Sequence, residues 1–275
     1  MTTLSGGRSI RNELPDIGLG TWQNDDPETC AETVQTALEL GYRHIDTAKI
    51  YGNESAIGRG IAASDVDRDD VFLATKVWNA DLGGGDVIDA VRESLDRLGV
   101  ESLDLLYVHW PAGKYAPSET LPAFEKLHGD GVIDRIGVSN FERDDLETAR
   151  SILETPIFAN QIELHPLFQQ RELRTFCADA GIEVVAYSPL ARGRVFEDPT
   201  LSEIADAHSV SEAQVSLAWL RSKDVTAIPK ATSTAHLRDN QASLELTLTD
   251  GEIERIDAID TQKRIITPDF APDSW

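Results

Sequence analysis

Eight short apolar runs alternate with longer stretches of helical period across 275 residues, and no G-x-G-x-x-G turn follows the first of them. These observations predict an α/β fold: a single (β/α)8 TIM barrel, one domain over residues 1–275. Eight strand–helix units in about 250 residues fit a closed barrel, because parallel strands need helical crossovers. A doubly wound sheet is the alternative, and it usually carries the missing glycine turn as its phosphate-binding loop.

Taken in order, "IGLGT" (17–21) is the first strand. The helix "ETCAETVQTALELG" follows, with Ala31, Val34, Ala37 and Leu38 on one face and Gly41 as its stop. "YRHID" (42–46) and "VFLATKV" (71–77) are the next two strands. "LGGGD" (82–86) comes after a polar loop and reads as a flexible connection. "DVIDAVRESLDRLG" is helical, with Val87, Val91, Leu95 and Leu98 as its apolar stripe and Gly99 as terminator. Strands four to seven are "LDLLYVHW" (103–110), "IDRIGVS" (133–139), "FANQIE" (158–163) and "IEVVAYS" (182–188). "SEAQVSLAWLRS" opens on Ser211, a good N-cap, and turns Val215, Ala218 and Trp219 inward before the last strand, "VTAIP" (225–229). No internal repeat, low-complexity tract or linker interrupts the series.

Charge narrows the function class. With 48 acidic against 25 basic residues the net charge is −23, which disfavours nucleic acid as a partner because a phosphate backbone would be repelled. Only 7 of the basic residues are lysine, and the acidity runs along the whole chain with a local peak at "SDVDRDD". A lysine-poor acidic surface resembles that of halophilic proteins, in which molar salt shortens the Debye length to about 3 Å and screens self-repulsion. An ordinary acidic protein kept soluble by its charge is the other reading, but it gives no reason for the lysine deficit. No run of about 18 apolar residues marks a membrane span, and "MTTLSGGRSIRNELP" lacks the apolar stretch of a signal peptide. Cys30 and Cys177 lie far apart without CxxC spacing, so a disulfide framework or cysteine metal site is not expected, and a cytoplasmic protein is.

In a barrel, the side chains at the carboxyl ends of the strands share one mouth. Those ends carry Asp46, Lys76, His109, Ser139 with Asn140, Gln161, Tyr187 with Ser188, and Lys230. A lone Asp or His at a strand end is more often a cap or a satisfied core group. Polar residues at seven successive ends make a constellation. Lys76 follows an apolar run, where an unpaired ammonium would lose its charge or destabilise the fold, and Asp46 on the neighbouring strand is its natural partner. Tyr51 lies in the loop leaving the Asp46 strand. A phenol holds its proton to about pH 10. An ammonium within bonding reach is expected to lower that value, with Asp46 keeping the lysine charged and His109 orienting a carbonyl oxygen. The assembly suits protonation of a carbonyl oxygen while the carbon is attacked.

"GYRHIDTAKIYGNESAIG" (41–58) resembles the first signature of the aldo-keto reductase superfamily. "ATKVW", "VHWP", "GVSNF", "NQIELHP", "YSPL" and "IPK" follow in that family's order, so the likeness covers essentially the whole chain. The resemblance implies a barrel that binds NADPH or NADH across its mouth and reduces aldehydes and ketones by direct hydride transfer. It implies a catalytic set of Asp46, Tyr51, Lys76 and His109. Ser139, Asn140 and Gln161 would hold the nicotinamide carboxamide, with Tyr187 stacked under the ring. Ser188 and Leu190 would meet the pyrophosphate and Asn240 the adenine, with Thr21 a further cofactor contact. Trp22, Ile50, Trp78 and Trp110, with His109, would line the substrate pocket. Histidine at 109, where steroid double-bond reductases of the family carry Glu, points to carbonyl reduction.

Two departures fall together. The usual "IPKS" reads "IPKATSTAH", so Ala231 stands in place of a hydroxyl and His236 in place of an arginine. Both positions belong to the family's grip on the adenosine 2′-phosphate, leaving Lys230, Thr232 and Ser233, with His236, as its remaining partners. A weaker preference for NADPH, or use of both cofactors, is expected. The C-terminal "RIITPDFAPDSW" leaves a short rim, which implies an open site with Trp275 within reach to fold back over it. A monomer or weak homo-oligomer is expected. Two other readings stay open: a non-catalytic nicotinamide-binding regulatory subunit on the same fold, and a metal-dependent barrel hydrolase using His44, Asp46, His109 and His165. Against the second, His44 and Asp46 do not form an HxH pair, and Lys76 would repel a cation.

Overall fold

The computed structural model describes residues 14–271. All eight expected strands form: β1 (Leu19–Gly20), β2 (His44–Asp46), β3 (Phe72–Val77), β4 (Leu105–Val108), β5 (Ile136–Ser139), β6 (Ile157–Glu163), β7 (Glu183–Tyr187) and β8 (Val225–Ala227). They lie in one sheet in chain order, each pairing in parallel with the next. Closure comes from the first and last strands, where Gly18 N donates to Ala227 O at 2.8 Å and Ala227 N to Asp16 O at 3.0 Å. The sheet is therefore a barrel with no free edge.

Helices supply the crossovers: α1 (Pro27–Glu39), α2 (Glu54–Ala63), α3 (Gly84–Leu98), α4 (Pro117–Gly129), α5 (Arg143–Ile152) and α6 (Arg171–Ala180). Two more, α7 (Pro199–His208) and α8 (Glu212–Ser222), separate β7 from β8, and α9 (Thr234–Ala242) and α10 (Asp250–Asp257) follow the last strand. The helix signals read from the sequence operate as expected. Ser211 caps α8 through its side chain, and Gly99 ends α3 in the left-handed region at φ 68°; Asp26, not singled out in the sequence, caps α1. One expectation fails. "LGGGD" is not a flexible connection, because Gly84 and Gly85 already belong to the first turn of α3. Glycine is costly in a helix interior but is tolerated at the opening turn. A Cβ on Gly84 would also sit 3.0 Å from the Glu119 carbonyl of the adjacent helix.

Alternation along the strands sorts the core into two clusters. Leu73, Leu106, Val108, Val138, Ile162 and Ala186 face the helices in the larger one. Ala74, Leu105, Tyr107, Ala159 and Val185 fill the barrel interior. Gly137 makes room there, since a Cβ on it would lie 2.6 Å from the Tyr107 ring. Among the described residues no helix is long and apolar enough to cross a membrane.

Candidate active site

The inward-facing periodicity that buries Ala74 also turns Lys76 inward, two residues on, with 1% exposure. Asp46, at the end of the neighbouring strand, is equally buried, and Lys76 Nζ donates to its Oδ1 at 2.5 Å and to the Thr47 carbonyl at 2.8 Å. Burial pulls the Lys76 ammonium below the ordinary lysine range, opposed first by Asp46 and then by Glu54. Gln161, four strand-steps away around the barrel, donates from Nε2 to the other Asp46 oxygen at 2.7 Å. The expected ion pair thus exists, and it is tied to a third strand end.

Tyr51 ends a 3-10 turn at Lys49–Tyr51 and is half-buried at the mouth. Here the structure corrects an expectation. Lys76 Nζ stands 5.4 Å from the centre of the Tyr51 ring, and among the described residues its hydrogen bonds go to Asp46 and Thr47 and not to the phenol oxygen. Tyr51 is not lowered. Burial, and then the negative charge of Asp46, push it above the ordinary tyrosine value. Asp46 cancels most of the ammonium's charge at close range, so the pair presents a dipole to the phenol and not a net cation. Tyr51 is consequently a protonated donor in this state.

His109 follows β4 at the mouth and is 7% exposed. Burial, then the Lys76 charge, hold its imidazole well below the ordinary histidine range, so it is neutral. Its ring stands edge-on to Tyr51 at 5.9 Å and to Trp78 at 5.1 Å. Its Nδ1 is buried without a hydrogen-bond partner among the described residues.

The wall opposite is a hydrogen-bonded chain. Ser139 Oγ donates to the Gln161 carbonyl at 2.9 Å. Asn140 Nδ2 donates to the His109 carbonyl at 3.1 Å and to Ser139 Oγ at 3.0 Å, and Asn140 Oδ1 accepts from the Tyr187 hydroxyl at 2.8 Å. Asn140 Oδ1 keeps a second lone pair with no hydrogen bond among the described residues, which can meet a carboxamide. Left-handed backbone clusters on the same rim, at Asn140 (φ 63°), Ser188 (49°), Ala191 (49°) and Arg192 (51°). Such strain in non-glycine residues gathers at ligand sites. Together these features fit an extended nicotinamide cofactor lying from Tyr187 past Ser188 and the half-buried Leu190.

Lys230, Thr232, Ser233 and His236, the residues expected to meet the adenosine, are exposed around the start of α9, and Ser233 Oγ accepts from His236 N at 3.2 Å as its cap. Ala231 is buried at 2%, so its methyl belongs to the core, and Asn240 is buried at 3%. Thr21, beside Lys230 where β1 meets β8, spends its hydroxyl on the Asp46 carbonyl at 3.0 Å.

The residues expected to line a substrate pocket are mostly aromatic. Trp78 and the buried Trp110 flank the mouth, while Trp22 (39% exposed) and Ile50 (49%) stand on its rim, and Arg192 stacks over Trp22 at 4.4 Å. Phe270 was not anticipated. It meets Trp78 at 5.6 Å and Trp110 at 5.4 Å, both edge-on, so the C-terminal rim is less open than its length implies. Trp275, the residue expected to fold back, lies outside the described residues. Sequence reasoning also passed over Asn53, whose Nδ2 donates to the Thr21 carbonyl at 2.8 Å, and over Glu54 and Glu163. Glu54 is 1% exposed and joins Thr75 Oγ1 at 2.8 Å to Arg97 Nε at 2.8 Å. A charged residue at a strand end was the available signal for Glu163, whereas Glu54 opens α2 and had none.

Among the described residues no three His, Cys, Asp or Glu side chains converge in a way that would hold a metal ion. Asp46 is engaged by Lys76 and Gln161, and His165 pairs with Glu163 at 3.1 Å.

Residues 16–261 match the family model described as Aldo/keto reductase family. The chain is 41% identical over 255 residues to a 9,11-endoperoxide prostaglandin H2 reductase of Trypanosoma cruzi (strain CL Brener), covering 92% of this chain and 90% of that one. It is 39% identical over 253 residues to a glyoxal reductase of Bacillus subtilis (strain 168), covering 92% and 91%. An aldo-keto reductase from a Medee basin deep-sea metagenome library superimposes with a TM-score of 0.90 at 35% identity, covering 93% of this chain and 95% of that one.

Proposed function

Since the chain belongs to the aldo/keto reductase family, we propose that it reduces aldehydes and ketones to alcohols with NADPH or NADH, with Tyr51 as proton donor. The observation that carries this reading is a neutral phenol, free of hydrogen-bond partners among the described residues, beside a buried lysine–aspartate pair.

When bound, the reduced nicotinamide supplies the hydride. Ser139, Asn140 and Gln161 would hold its carboxamide, and the flat face of Tyr187 would support the ring. The neutral imidazole of His109 offers the carbonyl oxygen a hydrogen bond without adding charge, which fixes its orientation. As negative charge develops on that oxygen, Tyr51 gives up its proton. The phenolate so formed faces the Lys76 ammonium, which Asp46 keeps charged despite burial. Lys76 thus acts on the phenolate, later in the reaction than its ground-state position beside the ring implies.

The two curated relatives are named for a prostaglandin endoperoxide and for glyoxal. Those names differ in both size and polarity, so the substrate class rests on the site. Walls of Trp78, Trp110 and Phe270 favour apolar or aromatic carbonyl compounds. The buried, unpaired Cys30 and Cys177 and the acidic, lysine-poor surface fit a reducing, salt-rich cytoplasm.

Turnover of a reactive aromatic aldehyde with each reduced nicotinamide tests the proposal. Tyr51→Phe is expected to lose at least about a hundredfold in kcat with its melting temperature unchanged. Full activity in that variant, or no turnover in the wild type, overturns it; the latter favours the binding-subunit reading.

A further inference from the structure

Glu163 ends β6 facing the mouth and is wholly buried. Its carboxylate collects three donors. Oε1 accepts from Ile265 N at 2.7 Å and from His165 Nε2 at 3.1 Å, and Oε2 accepts from Ile266 N at 2.8 Å. A buried carboxylate without such donors would be costly, and these three offset the cost of burying its charge. Two of the three donors are consecutive main-chain amides of the segment after α10, which carries no helix or strand through residue 271. That segment is pinned further back as well, where Lys263 N donates to the Leu167 carbonyl at 2.8 Å.

Four residues beyond Ile266 stands Phe270, edge-on to both Trp78 and Trp110. Four extended residues span at most about 14 Å, so a fixed Ile266 confines where Phe270 can sit. Phe270 is itself 40% exposed, and its own burial holds it only weakly. The firm attachment lies upstream, in the Glu163 carboxylate.

We propose that Glu163 is a positioning residue for substrate selectivity: by gripping the Ile265 and Ile266 amides it seats Phe270 against Trp78 and Trp110 and so closes one side of the carbonyl pocket. The inference rests on the reading of that aromatic wall as the substrate site. Glutamine cannot substitute for the acid, because its amide has one acceptor oxygen and its NH2 group would oppose the second amide.

The test uses the holoenzyme in a double-mutant cycle of Glu163→Gln and Phe270→Ala, read with 4-nitrobenzaldehyde and with methylglyoxal. Each single variant is expected to raise KM for the aromatic aldehyde roughly tenfold. The double variant should go no further, because the first residue acts through the second. Glu163→Gln should leave kcat for methylglyoxal within about twofold. Hydrogen exchange at the Ile265 and Ile266 amides gives a readout independent of turnover: about tenfold faster in Glu163→Gln, unchanged in Phe270→Ala. Additive KM effects, or unchanged exchange in Glu163→Gln, overturn the proposal. Should Glu163→Gln fail to fold, Ile266→Pro removes one donor from the segment and is expected to give the same KM shift; an unchanged KM overturns it. Absence of turnover in the wild type would defeat the underlying functional reading, while exchange would still report whether the anchor exists.

Discussion

Gln161 Nε2 donates to Asp46 Oδ2 across 2.7 Å, while Asp46 Oδ1 receives Lys76 Nζ at 2.5 Å. One carboxylate therefore joins the proposed cofactor wall to the proposed proton-transfer group, and both of its bonds are buried.

Asp46→Asn leaves the Lys76 ammonium buried without its counter-ion. A loss of about 3–5 kcal/mol in unfolding free energy is expected, measured by urea denaturation at pH 7. Gln161→Leu removes a single bond to a charged group and is expected to cost about 1.5–3 kcal/mol. Equal losses in the two variants would mean that Lys76 is not charged in the folded protein.

His44 stands two residues before Asp46 on the same strand, wholly buried, with both ring nitrogens lacking partners among the described residues. Burial, only partly offset by Asp46, lowers it to about 4. The unfolded chain takes up this proton near pH 6.5, whereas the folded protein accepts it only near 4. Stability therefore falls as pH drops through that window, by about 3 kcal/mol from this group. His109 is lowered as well and adds in the same direction. His44→Leu should flatten the decline in unfolding free energy between pH 6.5 and 4.5; an unchanged slope would assign the acid sensitivity elsewhere.

A net charge of −23 on one chain is self-repelling in dilute buffer. The melting temperature is expected to rise steadily from dilute buffer to molar KCl, as screening shortens from about 10 Å at 0.1 M to about 3 Å. A melting temperature indifferent to salt would contradict the halophilic reading.

His236 is exposed at the start of α9, and Ala231 is buried with no hydroxyl to offer. Comparable kcat/KM with NADPH and NADH is expected. His236→Arg should restore a charged fork and raise selectivity for NADPH by roughly tenfold. Strict NADPH dependence in the wild type would overturn this.

Much of the architecture was open to reading along the chain, because strands, helix caps and stops depend on short-range periodicity and on single residues such as Ser211 and Gly99. Strand-end polarity likewise pointed to Asp46, Lys76, His109 and Gln161, since the period-two alternation sends one face of every strand inward. "LGGGD" departs from its expectation for a related reason. Glycine content speaks of backbone freedom, but Gly84 answers to a neighbouring helix whose carbonyl lies 3.0 Å from where a Cβ would be.

Other features have no local signature. The raised Tyr51 phenol depends on how deeply the ring is buried and on Asp46 neutralising Lys76, both of which are sums over residues from different strands. Glu163 reaches amides about a hundred positions later, and Phe270 joins residues from two distant loops. Periodicity specifies which face of an element is buried, whereas electrostatics and pocket shape depend on what the closed barrel brings to that face. Pairings between distant parts of the chain carry no repeat for a sequence to display.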